Sequence, residues 1–563
     1  MSITAITIEN FKGIKDPVRV ELKPITLLFG PNSAGKSTIV QALHYAREIF
    51  ERQNLDPDRT LLGGDAIDLG GFESFVYKHD PDLPIRIKFD LDLSNEDLPR
   101  YIEGWFVELG SITWEDESIF CDIPTLVQNA WVEIQIRWSK LLRKPFINSY
   151  QVGINGTDLA IIESSEDGKQ INLSKLMLYN PIFLGRDLSD KIKAYLQDQG
   201  IDLENLSKGL SDAAKKWLQG NTQDIEIEEI LSFGECFNSL RSLLKTNGMD
   251  ESIPLDNQDS AMPVWGQPLH FHQSAWNDVE GMDEGQVLLL LSSLIIGPGE
   301  LIRDELRKFC YVGPLREVPK RNHKPSTSPD ESRWASGLAA YDTLFFAEDS
   351  FIEKVNTCLT QDERLATGYR VNVKKYRELE ADNPVMLAVL QDRILDEDIK
   401  LRDNLLSLPI KRRLLIQDEK RDIELEPQDI GVGISQVLPV VVAALHRKTG
   451  FVVIEQPELH IHPAFQVALG DLFIEQIREC PDQTFILETH SEHLMLRFLR
   501  RIREASEQEV PENRKLTPED LSIYFIEQAE TGISCMSIRV DQDGDFIDRW
   551  PKGFFAERAK ELF

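Results

Sequence analysis

The segment spanning residues 25–37, ITLLFGPNSAGKS, narrows the possible folds more than any other part of the chain. Its first five residues form a continuous, largely apolar run without polar alternation, as a strand buried on both faces would. The run breaks at Gly30 into a loop holding a second glycine, Gly35. KSTIVQALHYAREIF follows, with Ile39, Leu43, Ala46 and Phe50 at helical spacing. A buried strand, a glycine loop and a helix in this order fit an α/β fold built on a sheet with flanking helices.

The loop itself, Gly30-Pro31-Asn32-Ser33-Ala34-Gly35-Lys36-Ser37, fits the pattern GxxxxGK(S/T) without a mismatch, and Thr38 follows it. Glycines let backbone N–H groups converge on phosphates, and the start of a helix adds a favourable dipole. A lysine here supplies a point charge to the β- and γ-phosphates, and a hydroxyl supplies an oxygen to Mg²⁺. The expected ligand is therefore ATP with Mg²⁺, held by Asn32, Ser33, Ala34, Gly35, Lys36, Ser37 and Thr38.

Three further stretches are of the kind that would complete such a site. FVVIEQPELHIHP (451–463) is an apolar strand ending in Glu455, where an acid that orders Mg²⁺ would stand. DIGVGISQVLP (429–439) is a small-residue turn before an apolar helix, in which Gly431, Gly433 and Ser435 can present amides and a hydroxyl to an anion. FILETHSEHLMLRFLRRI (485–502) is another apolar strand, ending in Thr489-His490-Ser491, and places His490 as a phosphate sensor.

Between these pieces the pattern changes. ITAITIENF and VRVEL alternate and predict short antiparallel strands, and from Ile85 to Leu93 the period is again two. The Asn155–Gly156 pair marks a tight hairpin. The expected organisation is an N-terminal lobe at 1–84 and an antiparallel meander at 85–185. A helical insertion at 186–300 and a C-terminal lobe at 301–563 would follow.

The four motifs, in this order, resemble the ATP-binding-cassette head of SMC- and RecF-like proteins. They resemble more closely the AAA-labelled bacterial ATPases related to the overcoming-lysogeny-defect family. IENFKGIKD looks like that family's opening strand and turn, which implies Lys12 near the nucleotide, and YVGPLRE also resembles a segment of these proteins. The resemblance covers residues 1 to about 80 and about 300 onward. It implies a homodimer or higher homo-oligomer closing around ATP, with Lys36, Ser37 and Glu455 acting in cis, Ser435 acting across the interface, and His490 sensing the γ-phosphate.

One departure bears on turnover. Pro457 fixes the register of Glu455-Gln456-Pro457, so Gln456 stands where the resemblance implies a catalytic glutamate. A neutral amide can orient water but cannot take its proton. Slow hydrolysis follows, unless Glu458 or a nearby histidine replaces the base. The segment after His490 is also shorter than the nuclease domain of overcoming-lysogeny-defect proteins. A separate nuclease effector is therefore expected, as in the ATPase subunits of Septu-type and retron-associated anti-phage systems.

Composition limits the alternatives. A net charge of −32 opposes a surface that wraps nucleic acid over most of its area. That counts against the alternative of a RecF-like DNA clamp, although Arg497, Arg500 and Arg501 make a local basic face. GVGISQ in place of LSGGQ opposes the motor of a membrane transporter. The six cysteines contain no CxxC pair, and the N-terminus lacks a signal-peptide pattern, so a cytoplasmic protein is expected. His270 with His272, His460 with His462, and the acids Asp541, Asp543, Asp545 and Asp548 read as weak metal candidates with plainer structural explanations.

Overall fold

Burial on one face or on both decides which sheet each strand of this chain joins. The computed structural model describes residues 2–101, 123–177, 180, 182, 252–273 and 284–551, except 322–323, 329, 384–385, 388–389, 391–402, 404–405 and 531. The elements used below run β1 (Ser2–Glu9), β2 (Val18–Glu21), β3 (Ile25–Phe29), α1 (Lys36–Arg52), β4 (Ile85–Asp92), β5 (Asn129–Ser139), β6 (Lys144–Ile154), β7 (Thr157–Ser164), β8 (Ile171–Leu176) and β9 (Ile253–Pro254). The chain continues through α2 (Glu284–Ile295), α3 (Gly297–Arg307), β10 (Cys310–Val312), α4 (Leu338–Phe346), α5 (Asp349–Thr360), β11 (Tyr369–Tyr376), β12 (Lys411–Asp418) and β13 (Ile423–Leu425). It closes with α6 (Val432–His446), β14 (Gly450–Glu455), α7 (Pro463–Glu479), β15 (Gln483–Glu488), α8 (Glu492–Ser506), β16 (Leu521–Ala529) and β17 (Gly532–Ser537).

The alternating strands build an antiparallel sheet in the order β2-β1-β4-β5-β6-β7-β8-β9. In β4 the residues Ile85, Ile87, Phe89 and Leu91 are buried while Arg86, Lys88 and Asp90 stay partly exposed. Asn155 and Gly156, with φ of 49° and 79°, turn β6 into β7 where Ile154 pairs with Thr157. β1 pairs with β4 along its length, so the strands after Ile85 extend the sheet begun at the N-terminus.

The continuous apolar runs build a second sheet, β10-β14-β15-β3-β16-β17, parallel except for its last pair. Successive residues of its strands supply two cores. Leu28, Val453 and Ile486 face the core shared with α1 and the antiparallel sheet. Leu27, Val452, Ile454, Phe485 and Leu487 face the core beneath α6, α7 and α8. Helices α1 and α3 pack together, and α3 touches β4 and β5 on one side and β14 on the other. The result is an α/β fold, a mostly parallel sheet with flanking helices carrying an antiparallel β lobe.

The helical insertion expected at 186–300 lies largely outside the described residues. Within that span, residues 252–273 add β9 to the antiparallel sheet, and VLLLLSSLI forms the bulk of α2, buried from Val287 onward except at the half-buried Leu289. Among the described residues, no helix is long and apolar enough to cross a membrane.

The basic face expected on α8 is corrected by its neighbour. Asp471 of α7, only 3% exposed, accepts from Arg501 Nε and Nη2 at 2.8 Å each and from Arg497 Nη2 at 2.7 Å. These two arginines clamp α8 to α7; Arg500 stays exposed and pairs with Glu504 at 2.6 Å. The acids after Arg539 form a turn, with Asp541 accepting from the amides of Asp543 and Asp545, and Asp548 paired to Arg539. Removing one partner of a buried charge cluster leaves the others uncompensated, whereas an exposed pair is worth little. Asp471→Ala should lower unfolding free energy in urea by about 3 kcal/mol, and Arg500→Ala by no more than about 0.5 kcal/mol.

Candidate functional site

β14, β15 and β3 lie side by side and parallel, so their C-terminal ends reach one edge of the sheet. Those ends carry Glu455, Glu488 and the glycine loop. The register alone therefore joins motifs separated by more than four hundred residues of chain.

The loop holds its shape through close packing. Gly30, Ser33 and Gly35 have φ of 153°, 62° and 96°. A Cβ on Gly30 would lie 2.0 Å from the Ile526 carbonyl oxygen, and one on Gly35 would lie 2.2 Å from Ile533 Cδ1. Asn32 and Ser33 are exposed at the tip, while Ala34 and Thr38 are buried beneath it. The Thr38 amide donates to the Gly35 carbonyl at 3.0 Å and opens α1. Ile533 also meets Gly13, and its amide donates to the Gly13 carbonyl at 2.8 Å, which sets the Lys12 turn beside the loop.

Lys36 is buried and donates to the carbonyls of Gly30 at 3.1 Å and Pro31 at 3.0 Å, with Glu488 3.9 Å away. Burial lowers its pKa, and the charges of Glu488, Glu458 and Glu455 work in the opposite direction. The Ser37 hydroxyl donates to Glu488 at 2.8 Å, and Tyr311 donates to Glu455 at 3.0 Å. Burial first, and the neighbouring Glu488 second, push Glu455 up to about 7; burial is also the main cause raising Glu488. Glu488 escaped the sequence reading, although it ends the strand before the Thr489-His490 pair just as Glu455 ends its own.

Glu458 holds the turn after β15. Its two oxygens accept from Thr489 Oγ1 and from the His490 amide, each at 2.7 Å. Burial and the charge of Lys36 lower the pKa of His490, which keeps the ring neutral near pH 7. Its Nε2 is buried without a hydrogen-bond partner among the described residues. Such an atom is suited to a phosphate oxygen entering beside the loop.

Gln456 adopts a left-handed φ of 47° and donates its amide to the Glu488 carbonyl at 2.7 Å. Its carbonyl accepts from Arg316 at 3.0 Å, a residue of YVGPLRE to which the sequence assigned no contact. Arg316 Nη2 also donates to the Glu455 carbonyl at 2.7 Å, while Nη1 donates to the Gln436 carbonyl in α6 at 3.3 Å. Gln436 returns a bond to the Arg316 carbonyl at 2.7 Å. Burial of this guanidinium lowers its pKa to about 10, still charged at neutral pH.

Ser435 is 2% exposed, and its hydroxyl donates to the Val432 carbonyl at 2.9 Å inside the first turn of α6. What this helix start exposes is Gly431 and Val432, with Gly433 partly exposed and packed close to the His460 carbonyl. His462 accepts from the Ala464 amide through Nδ1 and caps α7. Among the described residues, no three histidines, cysteines or acids stand together as a ready metal cluster.

Glu455 and Ser37 fit a hard divalent cation, which prefers oxygen donors and shares them with phosphates. The loop amides, Lys36 and the unpartnered His490 nitrogen fit the phosphates themselves.

Three stretches of the chain match known family models. Residues 1–96 match a family described as an AAA ATPase domain. Residues 359–496 match one described as "AAA domain, putative AbiEii toxin, Type IV TA system". Residues 516–563 match a protein of unknown function, DUF3696. No curated protein matches the chain. Among solved structures, an Smc head bound to the C-winged helix domain of ScpA aligns at 8% identity and TM-score 0.35, over 96% of this chain and 99% of that one. The SMC head domain from Thermotoga maritima aligns at 8% identity and TM-score 0.35, over 96% and 100%. An Smc head with an extended coiled coil, bound to the C-terminal domain of ScpA derived from Pyrococcus furiosus, aligns at 9% and TM-score 0.34, over 100% and 98%.

The acid pair makes stability depend on pH. Because the folded pKa of Glu455 is raised from 4.5 to about 7, the folded chain keeps a proton that the unfolded chain gives up. The associated stability is fully present below pH 4.5 and is lost as pH rises from there through 7. Without nucleotide, Glu455→Gln should be more stable to urea than wild type by about 3 kcal/mol at pH 8 and equal to it at pH 4.

Proposed function

We propose that the chain is a Mg²⁺-dependent ATPase of the SMC and AAA type that holds ATP for long periods and hydrolyses it slowly. The observation that carries this reading is the convergence of Lys36, Ser37, Glu455 and His490 at the ends of three adjacent parallel strands. Backbone amides of the loop from Asn32 to Thr38 bind the phosphates, Lys36 leaves its own loop carbonyls for them, and Lys12 reaches the nucleotide from its neighbouring turn. Ser37 and Glu455 hold Mg²⁺, which when bound neutralises charge on the phosphates. His490 reads the outermost phosphate.

Gln456 orients water without accepting its proton, and this is the reason for slow turnover. Glu458 supports the site by holding Thr489 and His490, because both of its oxygens already accept hydrogen bonds there. The trans contact of a closed homodimer falls to the start of α6, where Gly431 and Val432 are exposed and Ser435 follows within the first turn. Arg316, tied to both this helix start and the end of β14, transmits the presence of the outer phosphate from one to the other.

The resemblance further supports a role in bacterial anti-phage defence, in which the ATP-bound assembly restrains or licenses a separate nuclease. Direct DNA clamping is the weaker reading, because the Asp471 clamp engages two of the three arginines that favoured it.

Lys36→Ala should weaken ATP binding at least about tenfold, since a charge-assisted contact is worth roughly 1.5–3 kcal/mol. Wild type with ATP and Mg²⁺ should sediment as a dimer or larger, with turnover below about one per second. Glu458→Ala should slow it further by releasing His490. Rapid turnover unaffected by Glu458→Ala, or a monomer indifferent to ATP, would overturn this function.

A further inference from the structure

Glu488 has no role in the reading above, yet it stands at the centre of the site. It is the register partner of Glu455 across parallel strands, so the two side chains leave adjacent backbones about 4.8 Å apart on the same face. Because β15 lies between β14 and β3, Glu488 is also the acid next to the glycine loop. The Ser37 hydroxyl donates to it at 2.8 Å and Lys36 Nζ lies 3.9 Å away. Both acids are buried, at 7% and 5% exposure.

Two carboxylates packed together in a dry site are costly unless a cation joins them. Among the described residues, Lys36 is the cation within ion-pair distance of Glu488, and Glu455 has none. Arg316 gives its hydrogen bonds to backbone carbonyls and leaves the carboxylates alone. Once Lys36 turns to a phosphate, nothing positive remains between the acids. Mg²⁺ characteristically takes one or two carboxylates together with phosphate oxygens.

We propose that Glu488 is a second metal-side carboxylate, sharing one divalent cation with Glu455 beside the Ser37 hydroxyl. This rests on the nucleotide reading of the site and adds a residue to it. The acid lies level with Glu455, at the depth of the metal, so it does not restore the base that Gln456 lacks.

The test is the Mg²⁺ dependence of ATP affinity in the full chain, measured calorimetrically without reference to turnover. Glu488→Gln keeps the size and still accepts from Ser37 while losing the charge. It should raise the Mg²⁺ concentration needed for half-maximal tightening at least tenfold, and leave binding in EDTA unchanged or tighter. Glu488→Asp should recover part of the shift, and Mn²⁺ titrated with the nucleotide and followed by spin resonance should show the same ranking. An unchanged Mg²⁺ dependence in Glu488→Gln, alongside a shifted one in Glu455→Gln, would overturn the proposal and leave Glu488 as a structural partner of Ser37. If the glutamine variant does not fold, Glu488→Asp decides: a threefold or larger shift supports the proposal, and wild-type behaviour overturns it. A wild-type chain that binds no ATP with or without Mg²⁺ fails the nucleotide reading itself, and the proposal with it.

Discussion

The parallel pairing of β14, β15 and β3 is the constraint on which the rest of the structure depends. Each strand is buried on both faces, so its register is fixed by side chains interlocking with two cores at once. That register puts Glu455 opposite Glu488 and brings the glycine loop alongside. A slip of one residue would exchange the two cores and carry both acids off the edge. The chemistry of the site is therefore set by apolar residues such as Val453, Ile486 and Leu28, which do no chemistry themselves.

The site stores unfavourable electrostatics around this frame. Two buried acids stand beside one buried lysine, and a charged arginine lies just behind them. Such an arrangement destabilises the chain by itself, and a ligand that brought positive charge between the carboxylates would relieve it. The same polar contacts act as struts. Glu458 holds the turn after β15, and Arg316 holds the ends of β14 and α6 together.

The contrast between α8 and α6 shows how neighbours decide a residue's role. Three arginines on one helix look alike in the sequence, yet Asp471 takes two of them into the protein and leaves the third outside. Ser435 sits in a motif that looks built for an anion, yet helical geometry turns its hydroxyl onto the carbonyl three residues earlier. Hydroxyls in the first turn of a helix compete for local backbone acceptors, and burial removes the alternative of water.

The glycine loop, the buried strand before it and the helix after it were legible in the sequence because their causes are local: backbone freedom at Gly30 and Gly35, apolar continuity, and helical spacing. The antiparallel strands and the Asn155–Gly156 hairpin were legible for the same reason. Strand order was not, because pairing of β3 with β15 and β16 joins segments hundreds of residues apart and leaves no local trace. Glu488, Arg316 and Asp471 belong with strand order. Each is an ordinary charged residue until packing removes water from around it and chooses its partner, and only the tertiary structure makes that choice.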